Sequence, residues 1–223
     1  MNNDNNNLSK LKLLVNNVQE HLVSSVEASS FPSNTMIPFR TYMFRESLLH
    51  RIAELGSTAY NLYNEQNALS GLVITRSILE TASILYLLTN KIEKTIESKD
   101  LISFSKYLAR LSTGSKNKSS DIEAINVLTG IDIWDKKENK IRKLYDDLSE
   151  FTHPNYWGNL AIMGEIDRKN NKLNFGKEYG KWKSALNIGI TSALIILQIS
   201  QKIYDEMTEI LPELIDVCKL KNM

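Results

Sequence analysis

The sequence has a single cysteine, Cys218, and only four prolines and nine glycines. One thiol cannot form an internal disulfide or a cysteine zinc site, so we expect a reducing, cytoplasmic location. The 27 basic and 26 acidic residues leave a net charge of +1, which gives no attraction of the whole molecule to nucleic acid or to an anionic membrane. Phosphate loops, dinucleotide fingerprints, H-E-x-x-H motifs and nucleophile elbows are also absent from the sequence.

Two apolar windows invite comparison with membrane-spanning helices, which need roughly 20 mostly apolar residues. Residues 68–89 place Arg76 and Glu80 at their middle, where a bilayer tolerates charges poorly. Residues 184–201 carry no charge, but the window is short and contains several polar side chains. We therefore predict two buried core helices and no contact with a membrane.

Apolar residues recur mostly at helical spacing, which predicts an all-α fold: a single helical bundle of about six to eight helices. Residues 160–176 differ, because they alternate loosely around a polar K-N-N turn, and they predict a small β-hairpin insertion. The asparagine-rich residues 1–7 are predicted to be a disordered tail, and residues 8–223 a single domain. Helices are predicted at 8–28, 39–63, 67–96, 99–112, 121–128, 135–152 and 179–209, with Leu211-Pro212 interrupting the last one.

The third predicted helix is apolar on all sides, which is typical of a central helix. Arg76 and Glu80 lie within it, four residues apart and close enough to pair. A buried charge is costly unless it is paired and hydrogen-bonded. The two residues therefore either stabilise helix packing or form the floor of a polar site, and the spacing alone favours the structural role.

The sixth predicted helix ends at His153, because Pro154 disfavours helical geometry in the residue before it. Ser149 lies one turn behind the histidine, and Arg142 and Asp146 continue the same row. A histidine in this position is suited to acid–base chemistry or anion binding near neutral pH. It could equally cap the last carbonyls of the helix, so both interpretations stay open.

The segment R-S-I-L-E at 76–80, taken with Y-D-D-L-S-E-F-T-H-P-N-Y-W-G-N at 145–159, resembles bacterial proteins of uncharacterised function in the HEPN-like group. Those proteins show an R-x-x-x-E helix followed by a Y-x-x-L-S-x-x-x-H-P segment. The resemblance covers residues 40–205, and its second motif is the more specific. It implies an all-helical, usually dimeric protein, often a metal-independent ribonuclease of a toxin–antitoxin or antiviral system.

The active form in the HEPN superfamily pairs an arginine with a histidine four to six residues later, across a dimer interface. This chain departs from that pattern, because no arginine lies four to seven residues before His153. Arg142 is eleven residues back, about 16 Å along a helix. Any arginine that joins the histidine must then come from another helix, and Arg76 is the best candidate.

The enzymatic hypothesis makes this chain an endoribonuclease with three catalytic residues. His153 is the acid or base, Arg76 the cation for the developing phosphorane charge, and Glu80 orients Arg76 or shares the proton transfer. No cofactor or metal ion is expected, and the candidate partners are RNA or a nucleotide, a second copy of the chain, and an antitoxin or other defence-system protein. The candidate substrate-binding residues are Ser149, Tyr145, Tyr156 and Arg142.

Two alternatives stay open. The same residues suit a non-catalytic module that binds a nucleotide or a protein, which the near-zero charge and the missing arginine favour. A carboxylate–histidine metal site is the weaker alternative. Di-iron bundles use two helices that each carry an E-x-x-H motif. Here Glu150 and His153 form one such motif, whereas Glu46 and His50 are four residues apart and do not form a second.

Overall fold

The computed structural model describes residues 2–33, 35–115 and 121–220, with side chains from residue 6 onward. In these ranges the chain is all-α with one small hairpin, which confirms the predicted fold class. A 3-10 turn at Ala28–Ser30 and a π-helical turn at Trp157–Ala161 interrupt the pattern. The helices are α1 (Asn2–Glu20), α2 (Ile37–Asn64), α3 (Ala68–Ser98), α4 (Leu101–Ser112), α5 (Val127–Asp135), α6 (Ile141–Thr152) and α7 (Trp182–Leu220), and the strands are β1 (Gly164–Asp167) and β2 (Lys172–Phe175).

The chain divides into two compact units, each built from three separate segments. The boundaries fall within α2, α3 and α7, so these helices contribute residues to both units. The single domain over residues 8–223 stays a prediction. The first unit comprises Met1–Glu20, Ile52–Leu79 and Asn139–Gln198, and the second comprises His21–Arg51, Glu80–Glu138 and Ile199–Met223.

The core of the first unit is organised around Tyr63, whose side chain is fully buried. Its hydroxyl lies 2.6 Å from the Thr75 hydroxyl, and burial raises the pKa of the phenol well above its usual value. Gly71 on α3 and Gly189 on α7 leave space for the ring, because a Cβ at either position would overlap it. These contacts fix the part of α3 that immediately precedes Arg76.

The core of the second unit contains a buried ion pair between Arg45 and Glu46, which are 6% and 4% exposed. Arg45 Nε donates to Glu46 Oε1 at 2.7 Å, and Arg45 Nη1 donates to the Thr208 hydroxyl at 3.1 Å. The Tyr204 hydroxyl donates to both Glu46 oxygens at 3.1 Å. Burial raises the pKa of Tyr204 to about 12, so it stays a donor at neutral pH. The pair is hydrogen-bonded on several sides, which offsets the cost of burying it.

The hairpin follows α6, as predicted, and confirms that element of the sequence interpretation. The two strands pair antiparallel, with Gly164 opposite Phe175 and Asp167 opposite Lys172. Asp167 accepts hydrogen bonds from the backbone and side chain of Asn170, which lower the pKa of its carboxyl group. Asn171 adopts a φ of 50°, a conformation that asparagine tolerates better than most residues.

The first helix begins at Asn2 and ends at Glu20, whereas the pattern predicted a helix over 8–28 behind a disordered tail. The apolar residues of this segment continue at helical spacing to Val26. The predicted helix was therefore too long at its C-terminal end. Serine and β-branched residues at 23–26 have low helix propensity, so the helix ends although the apolar period continues.

The two short helices before the hairpin are also displaced from their predicted positions. The side chain of Asn126 caps the start of α5 by accepting the Leu128 N–H at 3.1 Å, so this helix begins where the prediction had it end. Lys140 has a left-handed φ of 83° and separates α5 from α6. Residues 135–140 contain no apolar side chain, so the apolar pattern did not indicate that one helix ends here and another begins.

The last helix continues through Pro212 to Leu220, so the prediction that Leu211-Pro212 interrupts it is wrong. A proline inside a helix removes one backbone hydrogen bond and usually kinks or breaks the helix. Here Leu211, Leu214 and Cys218 are fully buried at helical spacing on either side of it. Their packing in the second unit offsets the loss.

Among the residues that the structure describes, two helices, α3 and α7, are long and apolar enough to cross a membrane by length and composition. Inside the protein, 67% and 56% of their most apolar windows are buried. Core helices of soluble proteins meet the same criterion, so the helices are weak evidence for a membrane. The cytoplasmic location stays a prediction.

The space around Tyr63 gives a test of the first unit. We expect Gly71→Ala to destabilise the protein by about 1–3 kcal/mol, because the added methyl overpacks the ring. The matched control is Gly56→Ala on α2, where a Cβ meets only ordinary contacts at 3.5 Å. Alanine is the better helix former by about 1 kcal/mol, so the control should be neutral or stabilising. Urea unfolding measures both, and equal stability of the two variants would contradict the packing.

Candidate functional site

Arg76 connects the two segments that the sequence singled out. Its Nη2 donates to the Tyr145 hydroxyl at 2.6 Å, and its Nη1 donates to the Thr152 hydroxyl at 3.0 Å. The guanidinium carbon lies 4.9 Å from the centre of the Tyr145 ring. Both partners are on α6, and Thr152 directly precedes His153. Hydrogen bonds to a charged donor are stronger than neutral ones, so this contact holds the last turns of α6 against α3.

His153 ends α6 in the way that its proline dictates. Its backbone is extended, with a φ of −84° and a ψ of 145°, because Pro154 disfavours helical geometry in the preceding residue. Its N–H donates to the Ser149 carbonyl at 3.1 Å, and its own carbonyl accepts from the Asn155 N–H at 2.8 Å. The imidazole is exposed to solvent. Within the part of the chain that the structure describes, no hydrogen bond to the ring is formed.

Asn155 organises the residues that follow the histidine. Its side-chain amide donates to Glu150 Oε2 at 2.8 Å, and its carbonyl oxygen accepts the Gly158 N–H at 2.9 Å. Gly158 is buried directly against the His153 carbonyl, where a Cβ would collide with the backbone. The sequence N-Y-W-G therefore turns the chain sharply into the π-helical turn. We call residues 149–158 the α6 end.

Three of the predicted substrate-binding residues, Ser149, Tyr145 and Arg142, lie on α6. The Ser149 hydroxyl donates to the Tyr145 carbonyl at 2.8 Å, a common back-bond in helices. The Tyr145 side chain is buried, with its hydroxyl on Arg76. Arg142 lies on the exposed side of the helix and pairs with Asp146 at 3.1 Å. Arg142 therefore belongs to an exposed ion pair away from the α6 end, as its distance along the helix suggested.

The fourth predicted substrate-binding residue, Tyr156, is 61% exposed. Its ring meets Trp157 edge to face, with centroids 5.6 Å apart. Lys181 places its ammonium group 4.3 Å from the centre of the Trp157 ring. Sequence reasoning missed Trp157 and Lys181 as site residues. A local excess of positive charge could have pointed to Lys181, since residues 168–183 contain six Lys or Arg and one acidic residue, Glu178.

Glu80 lies on α3 in the second unit, one turn after Arg76. Its side chain is half-buried, and its carbonyl accepts the Ser83 hydroxyl at 2.8 Å. The catalytic role of Glu80 stays a prediction.

Three of the four residues of the metal hypothesis, Glu46, His50 and Glu150, are hydrogen-bonded to other groups. Glu46 belongs to the buried pair with Arg45, and His50 Nε2 lies 2.9 Å from the Val23 carbonyl oxygen. Glu150 binds Asn155. Over residues 2–33, 35–115 and 121–220 there is no group of three or more His, Cys, Asp or Glu side chains that could hold a metal ion.

The contact between Arg76 and Tyr145 can be measured by a double-mutant cycle. We expect Arg76→Ala and Tyr145→Phe to show a coupling energy of about 1.5–3 kcal/mol, because the hydrogen bond is charge-assisted and half-buried. The exposed pair Arg142 and Asp146 is the matched control, with an expected coupling of about 0.3–0.5 kcal/mol. Urea unfolding of the four variants of each cycle gives both values. Equal coupling in the two cycles would contradict the anchoring role of Arg76.

Comparisons with protein-family models, with curated proteins and with solved structures find no match to this chain. The resemblance to the HEPN-like group therefore rests on the residues of the two motifs, and the functional argument rests on the geometry of the α6 end.

Proposed function

We propose that this chain is a HEPN-like protein that binds RNA at the α6 end and cleaves it without a metal ion. The observation that carries the proposal is the exposed imidazole of His153 on a helix end that Arg76 holds in place. An exposed ionisable ring on a fixed backbone is suited to proton transfer, because catalysis requires both access and orientation.

The chemistry that fits is attack of a ribose 2′-hydroxyl on the adjacent phosphate. This reaction needs a base for the hydroxyl proton, an acid for the leaving 5′-oxygen and positive charge near the phosphorane. His153 supplies one proton-transfer group per chain. We propose that the second comes from the His153 of another copy, so the active form is a homodimer. The resemblance also implies a toxin or antiviral system, in which an antitoxin or similar partner would restrain the enzyme.

Exposed apolar residues near the α6 end support an interface between two copies. Leu160 in the π-helical turn is 37% exposed, and it lies against Gly164 at the base of the hairpin. Ile166 and Phe175 on the hairpin are each 65% exposed. Contiguous exposed apolar surface commonly marks a protein interface.

The charge of the following segment supports RNA as the ligand. Residues 168–183, which we call the basic segment, carry six of the 27 basic residues although the whole chain has a net charge of only +1. Lys181 and Lys177 lie against the rings of Trp157 and Trp182, at 4.3 and 5.3 Å from their centres. Of these two rings that of Trp157 is accessible, at 39% exposure, whereas Trp182 is 5% exposed. A basic side chain beside an accessible aromatic ring is typical of surfaces that bind single-stranded nucleic acid.

In this proposal Arg76 is a positioning residue. Two of its terminal N–H groups donate to Tyr145 and Thr152, so the guanidinium acts on His153 through the helix rather than on the phosphate. The positive charge near the phosphate comes instead from lysines such as Lys181, close to Trp157.

The second candidate function is a nucleotide- or RNA-binding module without catalysis. Arg76 favours this candidate, because its guanidinium is engaged with Tyr145 and Thr152 and no arginine lies four to seven residues before His153 on α6 to replace it. The α6 end and the basic segment serve binding in either case.

His153 separates the two candidates. If the chain cleaves RNA, we expect His153→Ala to lower the rate by about 10²- to 10⁴-fold, the usual contribution of a general acid or base. Cleavage of a labelled RNA in EDTA measures this, and His50→Gln is the matched control because His50 is exposed and lies in the other unit. An unchanged rate in His153→Ala would overturn the catalytic proposal. RNA binding without cleavage by the unaltered protein would select the second candidate.

The basic segment gives a prediction for binding that does not require cleavage. We expect Arg168→Gln with Lys169→Gln to weaken RNA binding and to reduce the slope of log affinity against log salt by about 0.7 for each phosphate that is no longer neutralised. The control removes the same charge at exposed Lys94 and Lys136. Fluorescence anisotropy between low and moderate salt measures the slopes. An equal effect of both pairs would show that general charge, rather than the basic segment, governs binding.

A further inference from the structure

A cavity of about 390 Å³ opens beside the α6 end in the first unit. One side is apolar and aromatic, formed by Phe151, Trp157 and Ile188. Asp147 and Glu150 supply carboxylates on α6. Cavities of this size and mixed lining are typical of small-molecule sites, in which a few polar groups fix the orientation of a flat or apolar ligand.

The apolar side of the cavity is accessible to a planar ring. Trp157 is 39% exposed and Ile188 on α7 is 40% exposed, and both side chains line the cavity. The Lys181 ammonium lies 4.3 Å from the centre of the Trp157 ring, so a stacked base uses the other ring face. Stacking on an aromatic side chain contributes to the binding of every nucleobase, because each base has a π face. This side gives affinity for a base without selecting which one.

The polar side of the cavity is held in a defined orientation. Glu150 Oε2 accepts the Asn155 side-chain amide at 2.8 Å, and Asn155 is itself fixed by the Gly158 N–H. Asp147, in contrast, lies 2.8 and 2.6 Å from Lys143 Nζ through its two oxygens. Glu150 is therefore the carboxylate best placed to receive a ligand, through Oε1 and the remaining lone pairs of Oε2.

We propose that this cavity binds a guanine base, with Trp157 stacking on its ring and Glu150 accepting its N1–H and N2–H groups. An ionised carboxylate can only accept hydrogen bonds. Guanine presents two donors side by side on its Watson–Crick edge, which match the two oxygens of one carboxylate in the same bidentate way as an arginine. Adenine, cytosine and uracil each place an acceptor beside their donor, which would repel Glu150.

The proposal deepens the proposed function and rests on it for RNA as the source of the base. His153 lies between Glu150 and Asn155 in the chain, so a guanine held by Glu150 brings its neighbouring phosphates to the region of the imidazole. Cleavage then occurs next to guanosine. A free guanine nucleotide offers the same base chemistry, and short RNAs separate the two sources.

Tryptophan fluorescence reports on the cavity directly. Trp157 is 39% exposed, whereas Trp134 and Trp182 are 1% and 5% exposed, so a ligand that quenches the emission acts mainly on Trp157. Titration with GMP, AMP, CMP and UMP measures the base preference. We expect GMP to bind about 5- to 150-fold more tightly than the other three, the discrimination of a good bidentate contact. Equal affinities for the four nucleotides would overturn the proposal.

Glu150→Gln tests the carboxylate with little change of shape. The amide oxygen can still accept from Asn155, but the group no longer offers two acceptors to guanine. We expect the preference for GMP to fall to less than about threefold, with the unfolding midpoint unchanged. Glu165→Gln on the exposed strand β1 is the matched control and should keep the preference. A preference that survives Glu150→Gln would overturn the assignment of this residue.

The source of the base is tested with short single-stranded RNAs. A tetranucleotide containing one guanosine should bind at least as tightly as GMP, and one without guanosine should bind more weakly. Binding of GMP without binding of the guanosine tetranucleotide would overturn RNA as the source and identify a free nucleotide as the ligand. Cleavage is scored separately with His153→Ala, so a guanine preference in the absence of any cleavage supports the cavity and overturns only the ribonuclease proposal.

Discussion

The hydrogen bonds of Arg76 are the constraint on which the candidate site depends. A guanidinium on an otherwise apolar helix must be hydrogen-bonded, because an unsatisfied buried charge costs more than most helix contacts gain. Tyr145 and Thr152 meet this requirement from α6, and Thr152 is the last residue of that helix. The same contacts therefore fix the rotation of α6 against α3, while Pro154 sets the place where the helix ends. The exposed His153 ring and the cavity at Glu150 both depend on that end.

The sequence predicted α2, α3 and α4 well, because in each of them the helical spacing of apolar residues begins and ends close to where the helix does. α2, α3 and α4 begin and end within two residues of the predicted bounds, and the hairpin lies where the alternation and the K-N-N turn indicated it. The errors have local causes. A helix ended while its apolar spacing continued, at Glu20, and another continued where a proline should have ended it, at Pro212. Low helix propensity at 23–26 ended the first helix. Packing of Leu211, Leu214 and Cys218 kept the other one helical, and packing is a property of the folded chain.

The sequence drew attention to Arg76, Tyr145 and His153, but it did not predict the contacts between them. It did not show that the guanidinium of Arg76 donates to hydroxyl groups of α6, and the predicted role of Arg76 at the phosphate stays a prediction. Partners far apart in sequence cannot be read from spacing. For the same reason the sequence did not predict the buried pair of Arg45 and Glu46. Opposite charges at adjacent helix positions usually lie at the surface, but here the contacts with Tyr204 and Thr208 on α7 bury the pair.

One physical requirement separates the two candidate functions. In RNA cleavage the attacking 2′-oxygen and the leaving 5′-oxygen lie on opposite sides of the phosphorus, so the base and the acid must approach from opposite sides. One imidazole on one helix end cannot occupy both positions at once. Arg76 stays protonated and donates two N–H groups to α6, so it does not supply the missing group. A second copy that presents its own His153 satisfies this requirement by symmetry, since a two-fold axis places identical residues face to face. Binding requires no such partner, and so the association of two chains distinguishes a ribonuclease from a binding module independently of the test at His153.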